Sequence, residues 1–185
     1  MTGNLGVSFK TRQPVIEVIM QRLPWTLLLL TVTVSFSLLI GIPLGMLAAK
    51  KRNQFFDKLI STLVVIGISM FIPFLSFGLL YIFAYLLKLF PTGGAYTPPP
   101  AEGFAYYLDV ARHVVLPAFT LVISNVATII LYTRNGMIDV LKEDYIRTAY
   151  SKGWDDKYVI RTHALKNALI PTITVTGLMI GTMVG

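Results

Sequence analysis

The sequence contains no cysteine and only two histidines among its 185 residues. Without cysteine there is neither a disulfide nor a thiolate ligand for a metal, although this absence does not identify the cellular compartment. With two histidines and no carboxylate cluster at ligand spacing, we predict no metal site and no cofactor. The phosphate-binding pattern G-x-x-x-x-G-K-[ST] is also missing, so we predict that any ATP is bound by a different polypeptide.

Charged residues are scarce as well. They make up 14% of the chain, whereas 55% of the residues are hydrophobic and the mean hydropathy is +0.69. Because soluble domains of this size are less apolar, the composition predicts an integral membrane protein. A net charge of +7 would indicate nucleic-acid binding in a soluble protein. Here the cations flank apolar runs, where they set topology and meet anionic lipid, so we predict a lipid bilayer and no nucleic acid as partner.

Acidic and basic residues are absent from three long apolar runs. These runs cover residues 25–49, 59–87 and 114–132, and a fourth apolar run covers residues 168–185. At a helical rise of about 1.5 Å per residue against a hydrocarbon core of about 30 Å, they predict four membrane spans in an all-α polytopic bundle. A channel or ion-coupled carrier needs ionisable groups within its spans, and an intramembrane enzyme needs a nucleophile with a base. Neither is present, so no catalytic residue is predicted.

Glycine and proline predict how the spans pack and bend. Gly41 and Gly45 lie one turn apart with Pro43 between them, which favours close approach of a neighbouring helix and a bend. In the second run Pro73 predicts a tilt or a break, and in the third Pro117 is expected in the first helical turn. The fourth run repeats glycine every four residues, which predicts a smooth packing face formed by Gly177, Gly181 and Gly185.

A few polar side chains lie within the apolar runs. Asn125 is costly in hydrocarbon unless it faces another helix or a water-filled cavity. The hydroxyl groups either line a passage or bond back to their own helix, and the sequence leaves both alternatives open. The candidate passage residues are Ser69, Ser76, Asn125 and Thr128.

Basic residues indicate which connections face the cytoplasm. They concentrate in residues 50–58 and 134–167, whereas residues 1–24 and the connection from Lys88 to Arg112 hold fewer. The positive-inside rule therefore places the first two segments in the cytoplasm and the last two outside. Within the external segment 1–24, residues 15–23 are predicted to form an amphipathic helix at the membrane surface. A glycine pair and a run of three prolines predict that the Lys88–Arg112 connection is an irregular loop.

The segment from Arg134 to Pro171 is polar and is predicted to form two helices. Apolar or small residues recur at helical spacing from Ile138 to Ala149, which predicts a short amphipathic helix. Gly153 follows where the end of a helix requires positive φ, and Asp155 is placed to cap the next helix. The two helices therefore meet at a glycine turn.

This segment also carries a resemblance to a known family. The pattern Tyr145-Ile-Arg-Thr-Ala149, Lys152-Gly153 and His163-Ala-Leu-Lys-Asn-Ala-Leu-Ile-Pro171 resembles the cytoplasmic "EAA" loop of binding-protein-dependent ABC importer permeases. It is most similar to the dipeptide and oligopeptide branch, which also includes nickel permeases. The resemblance puts Arg147, Thr148 and Ala149 at the E-A-A positions. Arg147 replaces the acidic residue and Thr148 the first alanine, whereas the long spacing to Pro171 is like that of the peptide branch.

The resemblance implies a fold and a set of coupling residues. The chain is expected to form an ABC importer transmembrane domain of the MetI-like type over residues 25–185, with about four of six membrane helices. The family's loop, here residues 134–167, contains a coupling helix that inserts into a groove of the ATP-hydrolysing subunit. By this resemblance the ATPase-coupling residues are Tyr145, Arg147, Thr148, Ala149, Lys152 and Gly153.

The resemblance also implies partners and a location. The expected partners are two ATP-binding subunits, a second homologous permease and an extracytoplasmic substrate-binding protein, and the expected location is a bacterial or archaeal cytoplasmic (inner) membrane. The chain itself is expected to be a transport subunit and not an enzyme. Di- and oligopeptides are the implied cargo, with nickel or another small solute as the alternative within the family. A membrane scaffold that does not transport is the alternative outside it.

Overall fold

The protein is described by a computed structural model, which covers residues 6–9 and 12–184. The helices in these residues are α1 (Val15–Lys50), α2 (Phe55–Ser69), α3 (Ile72–Leu79), α4 (Phe104–Val140), α5 (Asp144–Ser151), α6 (Asp156–Val159), α7 (Leu165–Ala168) and α8 (Ile170–Val184). A π-helical segment, Leu80–Leu86, continues α3, and a second one, Ile160–Ala164, joins α6 to α7. The described residues contain no β-strand, only a single bridge between Val7 and Pro14. The predicted all-α fold is confirmed.

The two longest helices, α1 and α4, are each long and apolar enough to cross a membrane. Two further crossings are formed if each bent helix pair counts as one span: α2 with α3 and its continuation, bent by 93°, and α6–α7 with α8, bent by 44°. The structure therefore holds two to four candidate spans, and the predicted four is the upper end of this range.

Both long helices extend well beyond the apolar runs that predicted them. Helix α1 has 36 residues, about 54 Å at the usual rise, and it begins at Val15 rather than Trp25. Residues 15–23 are helical, as predicted, and they continue through Pro24 into α1 as one helix. Their position at a membrane surface stays a prediction. Helix α4 begins at Phe104, so the irregular connection is shorter than predicted. Pro117 lies in its interior, not in a first turn.

Helix α1 packs closely against α4 through its glycines. A Cβ atom at Gly41 would lie 2.6 Å from Ile129 Cγ2, and a Cβ atom at Gly45 would lie 2.7 Å from Thr133 Cβ. Both distances are shorter than van der Waals contact, so no larger residue fits without displacing α4. The predicted packing role of these two glycines is confirmed.

The second apolar run is broken close to its proline. Helix α2 ends at Ser69, and α3 starts at Ile72 with Pro73 in its first turn. A proline ring collides with the carbonyl of the residue four positions earlier, which here is Ser69. The prediction of a break is confirmed, and this clash explains why it lies ahead of Pro73.

The glycine face of α8 makes no close contact within the described residues. No atom lies within 4 Å of a Cβ atom built at Gly177 or at Gly181, and Gly185 lies outside the described residues. A packing role for this face stays a prediction. Just before α8, a Cβ atom built at Gly136 of α4 would collide with the Ala168 carbonyl, so the chain enters α8 tightly against α4.

Candidate functional site

Helix α5 packs against the rest of the protein through one apolar face. Ile146 and Ala149, three positions apart, are 1% and 5% exposed. Residues at this spacing share one side of a helix. They join a buried cluster whose other members come from α1, α4 and the segments after α5: Ala49, Met137, Val159, Ala164 and Ala168. The seat of α5 is thus built from both long helices.

The opposite face of α5 is polar and exposed. Arg147 Nη1 lies 3.5 Å from Asp144 Oδ1, and the Thr148 hydroxyl donates to the Asp144 carbonyl at 3.0 Å. Tyr145 is 41% exposed, and its hydroxyl accepts a hydrogen bond of 2.9 Å from Asn167 Nδ2. This face is therefore free to contact another molecule.

The structure divides the six predicted coupling residues into two groups. Tyr145, Arg147, Thr148 and Lys152 are exposed, and Lys152 Nζ lies 5.7 Å from the centre of the Trp154 ring. The prediction for Ala149 is corrected, because its side chain lies inside the buried cluster and offers no contact surface. The helical spacing put Ala149 on the apolar side of the helix, whereas the family resemblance put it among the contact residues.

Gly153 ends α5 by its backbone conformation. Its φ is +80°, and its N–H donates to the Tyr150 carbonyl at 2.9 Å. No atom lies within 4 Å of a Cβ atom built there, so the requirement for glycine is conformational and not steric. The predicted glycine turn is confirmed. Asp155 does precede α6, as predicted, but its side chain makes no capping hydrogen bond.

Asp156 connects α5 with α1. Its Oδ2 lies 2.5 Å from Lys50 Nζ at the end of α1, and its Oδ1 accepts a hydrogen bond of 2.8 Å from the Tyr150 hydroxyl of α5. Burial, together with the hydrogen bond to the Asp156 carboxylate and its charge, raises the pKa of Tyr150 to about 12. Tyr150 therefore remains a neutral donor at neutral pH. We refer to Lys50, Asp156 and Tyr150 as the polar joint.

A second ion pair fixes α4 to α2. Arg134 donates from Nε to Asp57 Oδ1 at 2.5 Å and from Nη2 to Asp57 Oδ2 at 2.8 Å, and the Asn53 N–H donates to Oδ2 at 2.9 Å. The Asp57 side chain is only 4% exposed. Two parallel hydrogen bonds between a guanidinium and a carboxylate are strong and directional.

Sequence reasoning missed both of these pairs. Lys50 and Asp156 are 106 positions apart, and Asp57 and Arg134 are 77 apart. A single sequence contains no signal for such pairs until the packing of α1, α2 and α4 is known. Tyr150 and Asp156 are only six positions apart and lie within the loop motif. The sequence therefore contained a signal for this contact of the polar joint.

The four predicted passage residues do not meet at one place. Asn125 lines a cavity of about 280 Å³ together with Thr26 and Thr182. Ser76 lines a different hollow of about 220 Å³ beside Gly93 and Gly94. The Thr128 hydroxyl donates to the Ser124 carbonyl at 3.3 Å, and Ser69 is exposed. The bend between α2 and α3 separates Ser69 from Ser76.

Comparison with known proteins places these features in a family. Residues 41–185 match the family of the binding-protein-dependent transport system inner membrane component. The chain is 42% identical to the oligopeptide transport system permease protein AppB of Bacillus subtilis, over 99% of this chain and 57% of that protein. It is 37% identical to the dipeptide transport system permease protein DppB of Escherichia coli, over 99% of this chain and 59% of that protein.

A third relative has a related description. The chain is 36% identical to the probable D,D-dipeptide transport system permease protein DdpB of Escherichia coli, over 97% of this chain and 57% of that protein. The chain thus spans a little under three fifths of the length of these curated relatives. The family match covers the buried seat of α5, the polar joint and the glycine turn, and the chain belongs to the binding-protein-dependent transport system inner membrane component family.

Proposed function

We propose that this chain acts in the permease subunit of an ATP-driven importer and couples a separate ATPase to the membrane helices through α5. The observation that carries this proposal is the construction of α5, which has an exposed polar face and a buried face seated on α1 and α4. Such a helix transmits a push on its outer face to both long helices. The chain itself breaks no covalent bond in this role, and the partner hydrolyses ATP.

The contact face for the ATPase is formed by the exposed coupling residues. Tyr145, Arg147 and Thr148 lie on α5, and Lys152 follows at its end. Ala149 and Gly153 serve this face indirectly, since one anchors α5 and the other ends it.

Movement of α5 has two routes into the membrane helices. One is the buried cluster, where Ile146 packs in one group with Ala49 of α1 and Met137 of α4. The other is the polar joint, where Asp156 links Tyr150 to Lys50. Because α1 and α4 are in close contact, a shift of α5 moves them as one body between two arrangements. ATP bound to the partner selects between these arrangements.

The proposed cargo is di- or oligopeptides. Relatives at 36–42% identity have descriptions that name oligopeptide, dipeptide or D,D-dipeptide transport. The proposed partners are two ATP-binding subunits, a second homologous permease and an extracytoplasmic substrate-binding protein. Uptake of a labelled dipeptide, compared with uptake of nickel by the same cells, tests the cargo, and nickel uptake without peptide uptake would refute it.

Cysteine crosslinking tests the coupling role directly. The chain has no cysteine, so single cysteines report one position each. In the assembled transporter we expect Arg147→Cys and Thr148→Cys to crosslink to the ATPase subunit. Ala149→Cys is the matched control on the same helix, since its side chain points into the cluster and should not react. Equal crosslinking from all three positions, or none from Arg147 and Thr148, would contradict the proposal.

A further inference from the structure

A groove with a basic rim lies at the end of α1 that is predicted to face the cytoplasm, and it shares Lys50 with the polar joint. It is bounded by α1, α4 and the π-helical segment that joins α6 to α7, and its volume is about 460 Å³. This volume lies in the range of small-molecule sites. Pro43, Leu47 and Leu165 contribute to its apolar floor, and Lys50, Lys157 and Arg161 form its basic rim. We refer to it as the basic groove.

The rim holds two cations without a carboxylate partner. Lys50 is paired with Asp156 at 2.5 Å. Lys157 and Arg161 are exposed, and within the described part of the chain no carboxylate oxygen lies within 4.0 Å of their nitrogens. The rim therefore favours a ligand with a negative charge.

The floor extends from the rim into the apolar part of the bundle. Pro43 lies about two helical turns before Lys50, which is about 10 Å along α1. Both Pro43 and Leu47 belong to the uncharged run 25–49. A small hydrophilic anion would fill only the rim, and a cytosolic protein would have to insert apolar residues to the depth of Pro43. A molecule with an anionic head and an apolar tail fits both parts.

We propose that the basic groove binds one anionic phospholipid of the cytoplasmic leaflet. The phosphate lies against Lys157 and Arg161, and an acyl chain lies along Leu47 and Leu165 towards Pro43. Basic pockets at the cytoplasmic side of membrane helices recognise anionic headgroups in this way. The bound lipid bridges α1 and the segment that follows α5, so it braces the loop against the membrane.

Native mass spectrometry of the full complex in lipid nanodiscs tests the site. We expect retention of phosphatidylglycerol in preference to phosphatidylcholine. Since each Lys or Arg near the membrane surface contributes about 1 kcal/mol, Lys157→Gln with Arg161→Gln should lower phosphatidylglycerol retention by about thirtyfold. Leu47→Trp fills the floor and leaves every charge in place, and it should also displace the lipid. Lys142→Gln removes one exposed cation outside the groove and should change nothing.

Several results would overturn the proposal. These are equal retention of the two lipids, an equal loss in Lys142→Gln, and full retention in Leu47→Trp. Displacement by inorganic phosphate would mean that the rim binds free anions only. Retention that rises when the ATPase subunits are stripped away would mean that the groove is a protein-docking face. None of these outcomes bears on the cysteine crosslinks from α5, so the proposed coupling role stands or falls separately.

Discussion

Substitution of Asp156 by Asn separates the mechanical role of the polar joint from its contribution to stability. The amide keeps the size of the side chain and an oxygen that accepts from Tyr150, but it loses the charge that holds Lys50 at 2.5 Å. The Lys50 and Asp156 side chains are 57% and 47% exposed. Exposed ion pairs contribute about 0–1 kcal/mol, so the melting temperature of the complex should shift by only a few degrees.

The effect on transport should be much larger than the effect on stability. In the proposed function the joint carries motion from α5 to α1, so Asp156→Asn should reduce the amount of peptide imported per ATP hydrolysed while ATP hydrolysis continues. The assay is uptake and phosphate release measured together in proteoliposomes. Asp139→Asn is the matched control, since Asp139 forms a looser exposed pair of 3.7 Å with Lys142, only three positions along the chain.

Reversing the charges of both partners should rescue transport. Lys50→Asp combined with Asp156→Lys restores an ion pair of opposite direction between α1 and α6, and it should recover import per ATP relative to either single variant. An unchanged ratio in Asp156→Asn, or an equal loss in Asp139→Asn, would refute the role of the joint. If the double variant does not recover import per ATP, the individual contacts of Lys50 and Asp156 matter, and not the ion pair between them.

Three further variants test the remaining features. Gly153→Val should abolish import without preventing membrane insertion, because a β-branched residue at a φ of +80° is strained by about 1–3 kcal/mol; this is measured by uptake and by membrane fractionation. Gly41→Leu should lower stability by about 1–3 kcal/mol, since its Cβ alone would collide with α4; thermal melting in detergent measures this loss. Arg134→Gln should cost about 3 kcal/mol in the same assay, because it leaves the buried carboxylate of Asp57 without its cation.

Matched variants define what would contradict these predictions. Gly153→Asn should retain most import, since asparagine adopts positive φ more readily than valine, and an equal loss in both variants would refute the conformational argument. Gly177→Leu should leave the stability of the isolated chain unchanged, because nothing lies near its Cβ. A loss equal to that of Gly41→Leu would contradict the packing argument. Arg147→Gln removes an exposed cation and should cost far less stability than Arg134→Gln.

The features that the sequence predicted correctly depend on neighbouring residues. Positive φ at Gly153 follows from the residue type and its place after an amphipathic stretch. The break near Pro73 follows from a clash within one helical turn, and the close packing at Gly41 from the absence of a side chain. The first two require only local sterics, which a single sequence contains. For Gly41 the sequence indicates a site of close approach, but not its partner, Ile129 of α4.

The features that the sequence did not predict depend on where helices end and how they pack. Hydropathy detects the part of a helix that lies in hydrocarbon, but not the part that continues into water, so the starts of α1 and α4 were placed about ten residues late. Ala149 was assigned to a contact surface by its position in the family motif, although the helical spacing put it on the apolar side. The ion pairs of Asp57 and Asp156 join distant segments, so they required the packed structure.

The two ion pairs differ in a way that divides the protein into a fixed part and an adjustable part. The Asp57–Arg134 pair is bidentate and its carboxylate is 4% exposed, so separating it would strand a buried charge. The Lys50–Asp156 pair is exposed on both sides, and water replaces its partners at little cost. A force applied to α5 therefore rearranges the polar joint before it separates α4 from α2. We infer that α2 and α4 move as one unit, and that the adjustable contact between α5 and α1 is where the proposed ATP-driven motion is either transmitted or lost.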